Sequence, residues 1–307
     1  MKENIFLYAC QLGKRTSFRS YLVGSIFIVG FALLGQLPYT GFLFFKTDLE
    51  GITSKSHEEL MKILPSNLNF FLLMLSFLAA FIGCKVVLEK WHKRSFLSVL
   101  TSRKKFDLSR FFFAFGVYGS FMAFITFLQY KTNPELFELQ FEITPFFTLL
   151  ILTIIFIPIQ SAVEEIVFRG YLMQGFCTLS KKPLFALIMT SVIFGVLHLT
   201  NPEFNQYGLL LLTTYIGTGF FFGLISIIDK GTELAIGFHT ANNFLGCVLV
   251  TSEHSVLPTA AILKDISEVT SKSMGIEILI PIFIVLPAMF WIFYKRYQWK
   301  GWRHTFF

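Results

Sequence analysis

Apolar stretches alternate with short polar connections along residues 21–37, 69–88, 111–130, 145–175, 184–200, 207–228, 233–251 and 275–294. A helix of roughly 20 residues crosses the hydrocarbon of a bilayer, and each stretch reaches or nearly reaches that length. The pattern predicts an all-α polytopic membrane helix bundle of about eight transmembrane helices over residues 21–294, with Pro158 interrupting the fourth. Residues 5–13 are apolar but too short to span, and predict an interfacial helix in an N-terminal segment of residues 1–20. Ser56-His57-Glu58-Glu59 has the spacing of a capping box and predicts a short surface helix between the first two spans. Residues 295–307 form a basic tail.

Composition decides that the apolar stretches meet lipid rather than a protein core. Of 307 residues 54% are hydrophobic and 15% charged, where a soluble domain carries about 25% charged residues. Phe alone contributes 40 residues, most simply as lipid-facing or packing surface, as in Phe111-Phe112-Phe113. The net charge of +7 does not indicate a nucleic-acid partner, because the basic residues flank the apolar stretches; anionic membrane lipids account for them. With the N-terminus in the cytoplasm, 20 of the 26 Lys and Arg residues fall on the inner side, leaving Lys46, Lys55, Lys62, Lys131, Lys264 and Lys272 outside. That bias predicts eight spans with both termini cytoplasmic, in a multi-pass membrane protein. Lys14, Arg15 and Arg19 precede the first span and no cleavage-site pattern follows it, so it is expected to be retained. Cys10, Cys84, Cys177 and Cys247 are scattered singly and are expected to be small core residues.

Polar residues inside the apolar stretches are the candidates for chemistry. Ser161-Ala162-Val163-Glu164-Glu165-Ile166-Val167-Phe168-Arg169-Gly170 sets two carboxylates and a guanidinium at membrane depth, where each charge costs about 2.5–3.5 kcal/mol. His198 follows in Phe194-Gly195-Val196-Leu197-His198, and His239-Thr240-Ala241-Asn242-Asn243 adds an imidazole and amides. Glu165 and Arg169 stand at i and i+4, close enough to pair, which leaves Glu164 without a partner in its own helix. His239 and Asn243 likewise share one helix face. At about 1.5 Å per residue, Glu164 and His198 lie up to about 25 Å from the Lys181-Lys182 hairpin. His239, nine residues from Lys230, reaches that level only if the hairpin projects beyond the membrane. His57, His92, His254 and His304 fall in polar loops or tails and are expected to be solvated.

Each polar group also has a structural reading: the Glu165 and Arg169 pair as a helix brace, His198 as an interhelical hydrogen-bonding group. Three such sites on three helices are harder to explain that way, because each is separately costly. A carboxylate stripped of water is a general base for water attacking a carbonyl, with imidazole and amide groups opposite to stabilise an oxyanion. One Glu and two His also match the zinc-ligand set of many hydrolases, so Glu164, His198 and His239 are candidate metal ligands, and zinc or no cofactor remain alternatives.

Glu164-Glu165-x-x-x-Arg169, Phe194-x-x-x-His198 and His239-x-x-x-Asn243, in this order on apolar segments, resemble the CAAX prenyl protease and bacteriocin-processing (CPBP, or Abi) family of intramembrane proteases. The run from Thr101-Ser102-Arg103-Lys104-Lys105-Phe106 to Arg110 also looks like segments of bacterial members. The motifs lie within about residues 145–251, the expected catalytic core. The resemblance implies an endopeptidase acting on a membrane-associated peptide or protein. Glu164 would be the water-activating base, His198 would help hold the water, His239 and Asn243 would form the oxyanion site, and Glu165 and Arg169 would support the first glutamate. It leaves open a metalloprotease or a glutamate protease, and a non-proteolytic scaffold or bacteriocin-immunity protein on the same fold. A transporter would show a two-fold repeat of spans, which the sequence lacks.

Overall fold

Each of the eight apolar stretches folds as helix in the computed structural model, which describes residues 5–252, 255–267, 275 and 278–301. The protein is a polytopic helical bundle, and among the described residues six helices are long and apolar enough to cross a membrane. These are Phe18–Lys46, Ser66–Trp91, Leu108–Thr132, Ile143–Ser180, Phe204–Asp229 and Ile278–Tyr297. In chain order the elements are α1 (Ile5–Tyr8), α2 (Phe18–Lys46), α3 (Leu49–Thr53), α4 (His57–Met61), α5 (Ser66–Val86) and α6 (Leu108–Thr132). There follow β1 (Phe137–Leu139), α7 (Ile143–Glu165), α8 (Met173–Ser180), α9 (Pro183–Leu197), α10 (Phe204–Tyr207), α11 (Leu211–Asp229) and α12 (Glu233–Val248). The chain closes with β2 (Val250–Ser252), β3 (Leu263–Asp265) and α13 (Leu286–Tyr297).

The two remaining apolar stretches are α9 and α12, of 15 and 16 residues. At about 1.5 Å per residue they rise only some 22–24 Å, less than the roughly 30 Å of bilayer hydrocarbon. His198 directly follows α9, and His239 and Asn243 lie on α12.

Pro158 does not interrupt the fourth stretch: helix runs from Ile143 through Pro158 to Ser180. Proline removes one backbone donor, and with no water in an apolar bundle to compete for the neighbouring bonds, the rest of the ladder holds. The irregularity comes later, where Ile166–Leu172 is wound as π-helix between α7 and α8. Such turns are frequent at functional sites, and this one carries Arg169.

Close helix approach is written in two glycines. A Cβ on Gly237 of α12 would lie 2.2 Å from the Phe111 carbonyl oxygen of α6, so only glycine allows that contact. A Cβ on Gly219 of α11 would lie 3.3 Å from Arg169 Nη2. Asp107 starts α6 by accepting from the backbone N–H groups of Ser109 and Arg110. Ser56 and Glu59 form the expected capping box at the head of α4. A small sheet in the order β1-β3-β2 pairs Phe137 with Asp265 antiparallel and Val250 with Leu263 parallel.

One sequence expectation is corrected outside the site. Of residues 5–13, Phe6 and Leu7 are fully buried against Met173, Phe176, Cys177, Leu187 and Ile227, while Leu12 is exposed. His92 is not solvated but 1% exposed, its ring bonding the Arg15 carbonyl at 2.6 Å and Tyr171 Oη at 2.8 Å. His57 heads α4, whereas His254 and His304 lie outside the described residues. All four cysteines are free and buried, as expected.

Candidate active site

Four elements converge on the polar residues: α7, the π-helical turn, α12 and α6. Glu165 and Arg169 are both fully buried, and Arg169 Nη1 donates to Glu165 Oε1 at 3.2 Å. A buried pair is retained only with further compensation, and here it comes from rings. The Arg169 guanidinium lies 4.2 Å from the Phe194 ring centroid, with Phe222 and Phe168 at 5.5 and 5.6 Å. Arg169 Nε and Nη2 and Glu165 Oε2 have no hydrogen-bond partner among the described residues.

Glu165 Oε1 also engages His239 Nδ1 at 2.8 Å, while the imidazole stacks on Phe222 at 5.3 Å. An ionised carboxylate only accepts, so Nδ1 carries the hydrogen and, in the neutral ring, Nε2 presents its lone pair. That Nε2 faces Glu164 Oε2 at 3.8 Å. The first glutamate is the more open of the two, its side chain 16% exposed. Thus Glu165 fixes the ring, and the ring fixes what Glu164 sees.

The expectation that Glu164 has no partner in its own helix is corrected. Gln160, one turn earlier on α7, donates from Nε2 to Glu164 Oε1, and its Oε1 accepts from Asn243 Nδ2 at 2.9 Å. Gln160 went unread because a lone amide in an apolar run resembles a spacer. Its position at i−4 from Glu164 was the available signal.

Glu164, Glu165, Arg169, His239 and Asn243 are therefore joined through hydrogen bonds or close approach, with Gln160 added. The depth question is answered by the same contacts. Since His239 meets Glu165, the hairpin after α8 reaches about 10 Å further along its helix than the Lys230 turn does. Phe6 and Leu7 pack against that extension.

His198 stands apart. Its Nδ1 bonds the Phe194 carbonyl at 2.6 Å, and its ring stacks on Tyr215 at 4.3 Å. Tyr215 Oη donates to Glu203 Oε2 at 2.7 Å and accepts from Asn201 Nδ2 at 3.0 Å, so a second polar group flanks the site. Among the described residues no three His, Cys, Asp or Glu side chains gather to hold a metal. With Nδ1 of His198 on the Phe194 carbonyl and Nδ1 of His239 on Glu165, each ring keeps only its Nε2 to present to a ligand.

The model of the family described as type II CAAX prenyl endopeptidase Rce1-like matches residues 144–245, the segment holding every residue of this constellation. Among curated proteins, the uncharacterized protein YyaK of Bacillus subtilis (strain 168) is 30% identical over 245 residues, covering 80% of this chain and 81% of that protein. The chain belongs to the Rce1-like CAAX endopeptidase family. No solved structure matches it. This Rce1-like protein is thus a multi-pass, CAAX-protease-like membrane protein.

The Rce1-like core is braced by a second charged group that sequence reading missed. Arg103 bonds Asp229 at 2.8 Å and Glu233 at 3.1 Å, Arg110 bonds Asp229 at 2.9 Å and also Asp107, and Trp299 Nε1 donates to Asp229 Oδ1 at 3.0 Å. These contacts tie the basic connection before α6 to the end of α11 and the first turn of α12, the helix that carries His239 and Asn243, and the chain after α13 to the end of α11.

Proposed function

We propose that this Rce1-like protein is an intramembrane endopeptidase that hydrolyses a peptide bond of a membrane-associated peptide or protein, with a water activated by Glu164. The observation that carries the reading is the 3.8 Å approach of Glu164 Oε2 to a His239 Nε2 whose tautomer Glu165 fixes. Two acceptors at that separation suit a water that donates one hydrogen to each and turns its lone pairs outward.

The water oxygen bonds to the carbonyl carbon as Glu164 Oε2 takes its proton. The carbonyl electrons pass to the oxygen, which the second N–H of Asn243 Nδ2 is available to stabilise. The tetrahedral species collapses, the C–N bond breaks, and the proton on Glu164 passes to the leaving nitrogen, giving an amine and a carboxylic acid that ionises in water on release. The family resemblance gives the water-holding role to His198; the geometry favours His239, and leaves His198, ringed by Phe194 and Tyr215, at the flank. The Bacillus relative supports a bacterial cell membrane as the location.

The test compares membrane peptides from cells carrying the native chain with those from cells carrying Glu164→Gln. An intact precursor should accumulate with the variant, and the purified wild-type protein should cleave it at one bond. Identical peptide populations in the two membranes would sink the protease reading and favour a scaffold or immunity role.

A further inference from the structure

We infer that Tyr118, Asn242, Asn243 and Gln160 form a one-way chain of donors that positions Glu164 and reserves one of its carboxylate oxygens for the proton of the attacking water. The inference rests on Glu164 as general base. Tyr118 Oη on α6 donates to Asn242 Oδ1 at 3.1 Å, and Asn242 Nδ2 donates to Asn243 Oδ1 at 3.0 Å. Asn243 Nδ2 donates to Gln160 Oε1 at 2.9 Å, and Gln160 Nε2 donates to Glu164 Oε1. Ser161 Oγ adds a second donor to Gln160 Oε1 at 3.2 Å.

The direction of every link is set from one end. An ionised carboxylate can only accept, so Gln160 must turn its NH₂ to Glu164 and its carbonyl to Asn243. Asn243 must then present NH₂ to Gln160 and carbonyl to Asn242, and Asn242 repeats the pattern toward Tyr118. A hydroxyl closes the far end because it is free to donate. The ends are held: Gln160 and Tyr118 are buried, and the tyrosine ring stacks on Phe238 at 3.6 Å.

Two consequences follow for the reaction. Glu164 Oε1 is engaged by Gln160, so Oε2, opposite His239, is the oxygen left to take a proton. After protonation Oε1 still accepts, and no amide need turn between steps. One hydrogen of Asn243 Nδ2 is pinned to Gln160, which fixes the direction of the other, the one assigned to the oxyanion. Gln160 and Tyr118 are positioning residues, acting through Glu164 and Asn243.

A purely structural cross-link between α6, α12 and α7 would stabilise the fold without tuning the carboxylate. The test uses the full chain in lipid bilayers, with Gln160→Met, which keeps length and packing but cannot hydrogen-bond, and Tyr118→Phe, which removes one hydroxyl. Infrared spectra of protein labelled with ¹³C-glutamate identify the Glu164 carboxylate band as the one lost in Glu164→Gln. That band should shift in Gln160→Met, and shift less in the same direction in Tyr118→Phe. On the cleaved peptide, Gln160→Met should lower kcat by roughly 10²-fold while KM stays within about twofold, the signature of a misplaced reacting group. An unshifted band in Gln160→Met overturns the chain whether or not the protein is a protease. A shift with unchanged kcat overturns the positioning role. Should Gln160→Met fail to fold, an unshifted band in Tyr118→Phe overturns the chain by itself. A wild-type protein that cleaves nothing counts against the protease reading alone, because the band shift is read without turnover.

Discussion

At the scale of single residues, the bundle keeps its charges by giving each a dedicated environment. Arg169 satisfies one donor on Glu165 and rests the remainder against aromatic faces, which explains how a fully buried guanidinium persists with two nitrogens unpaired. His92 shows the other solution, which is to remain neutral. Burial, reinforced by the nearby charges of Arg94 and Arg15 and opposed by its bond to the Arg15 carbonyl, pushes the imidazole from an ordinary 6.5 down to about 4. Between those values the unfolded chain binds a proton that the folded protein does not, so stability rises with pH across the window. The contribution is complete above about 6.5 and is lost as pH falls toward about 4. Thermal unfolding in detergent should therefore show a lower midpoint at pH 5 than at pH 7, with a smaller difference in His92→Gln, which does not titrate. Equal pH dependence in the two proteins would show that His92 is not the group responsible. The sequence placed His92 in a polar connection and gave no sign of its burial. Its partners Arg15 and Tyr171 are 77 and 79 residues away, and such contacts leave no local pattern.

At the scale of elements, the apolar pattern was a good guide to where helices lie and a poor one to how they are built. It located all eight, because a 3.6-residue period is not needed when a whole helix faces lipid or other apolar helices. It misjudged Pro158, since the rule that proline breaks helices assumes water ready to take over the freed groups. It did not register the π-helical turn, whose backbone irregularity has no residue signature, or the three-residue strands, too short to alternate visibly. α12, which carries His239 and Asn243, packs closely on α6 at Gly237. Gly237→Ala should force the helices apart, costing about 1–3 kcal/mol as overpacking typically does. Gly246, on the same helix with open space around it, provides the control. Gly246→Ala should be neutral or stabilising by a few tenths of a kcal/mol up to about 1, as alanine is the better helix former. The check is the unfolding midpoint of each variant, and equal midpoints would mean the close approach carries no weight.

At the scale of the whole molecule, the ordered motifs made the constellation legible while its connections were not. Glu164, Glu165, Arg169, His239 and Asn243 were identified from spacing and do meet. Gln160 as the link between them, and Asp229 and Glu233 as anchors of the turn before α12, emerged only from packing, because buried polar groups reveal their partners in three dimensions. His198 stacks against Tyr215, a contact of which the sequence gave no sign. These contacts make one arrangement of the bundle: α12 buries Glu233 and His239 inside it, and the charged braces hold its first turn. The function proposed for that arrangement depends on Glu164 more than on any other residue. The most direct measurement is the initial rate of peptide cleavage by wild-type and Glu164→Gln proteins in bilayers, with matched unfolding midpoints and metal-free preparations verified by elemental analysis. The account predicts a fall of roughly 10²–10⁴-fold, the usual contribution of a general base, in a protein that stays folded; a Glu164→Gln rate close to wild type would contradict it.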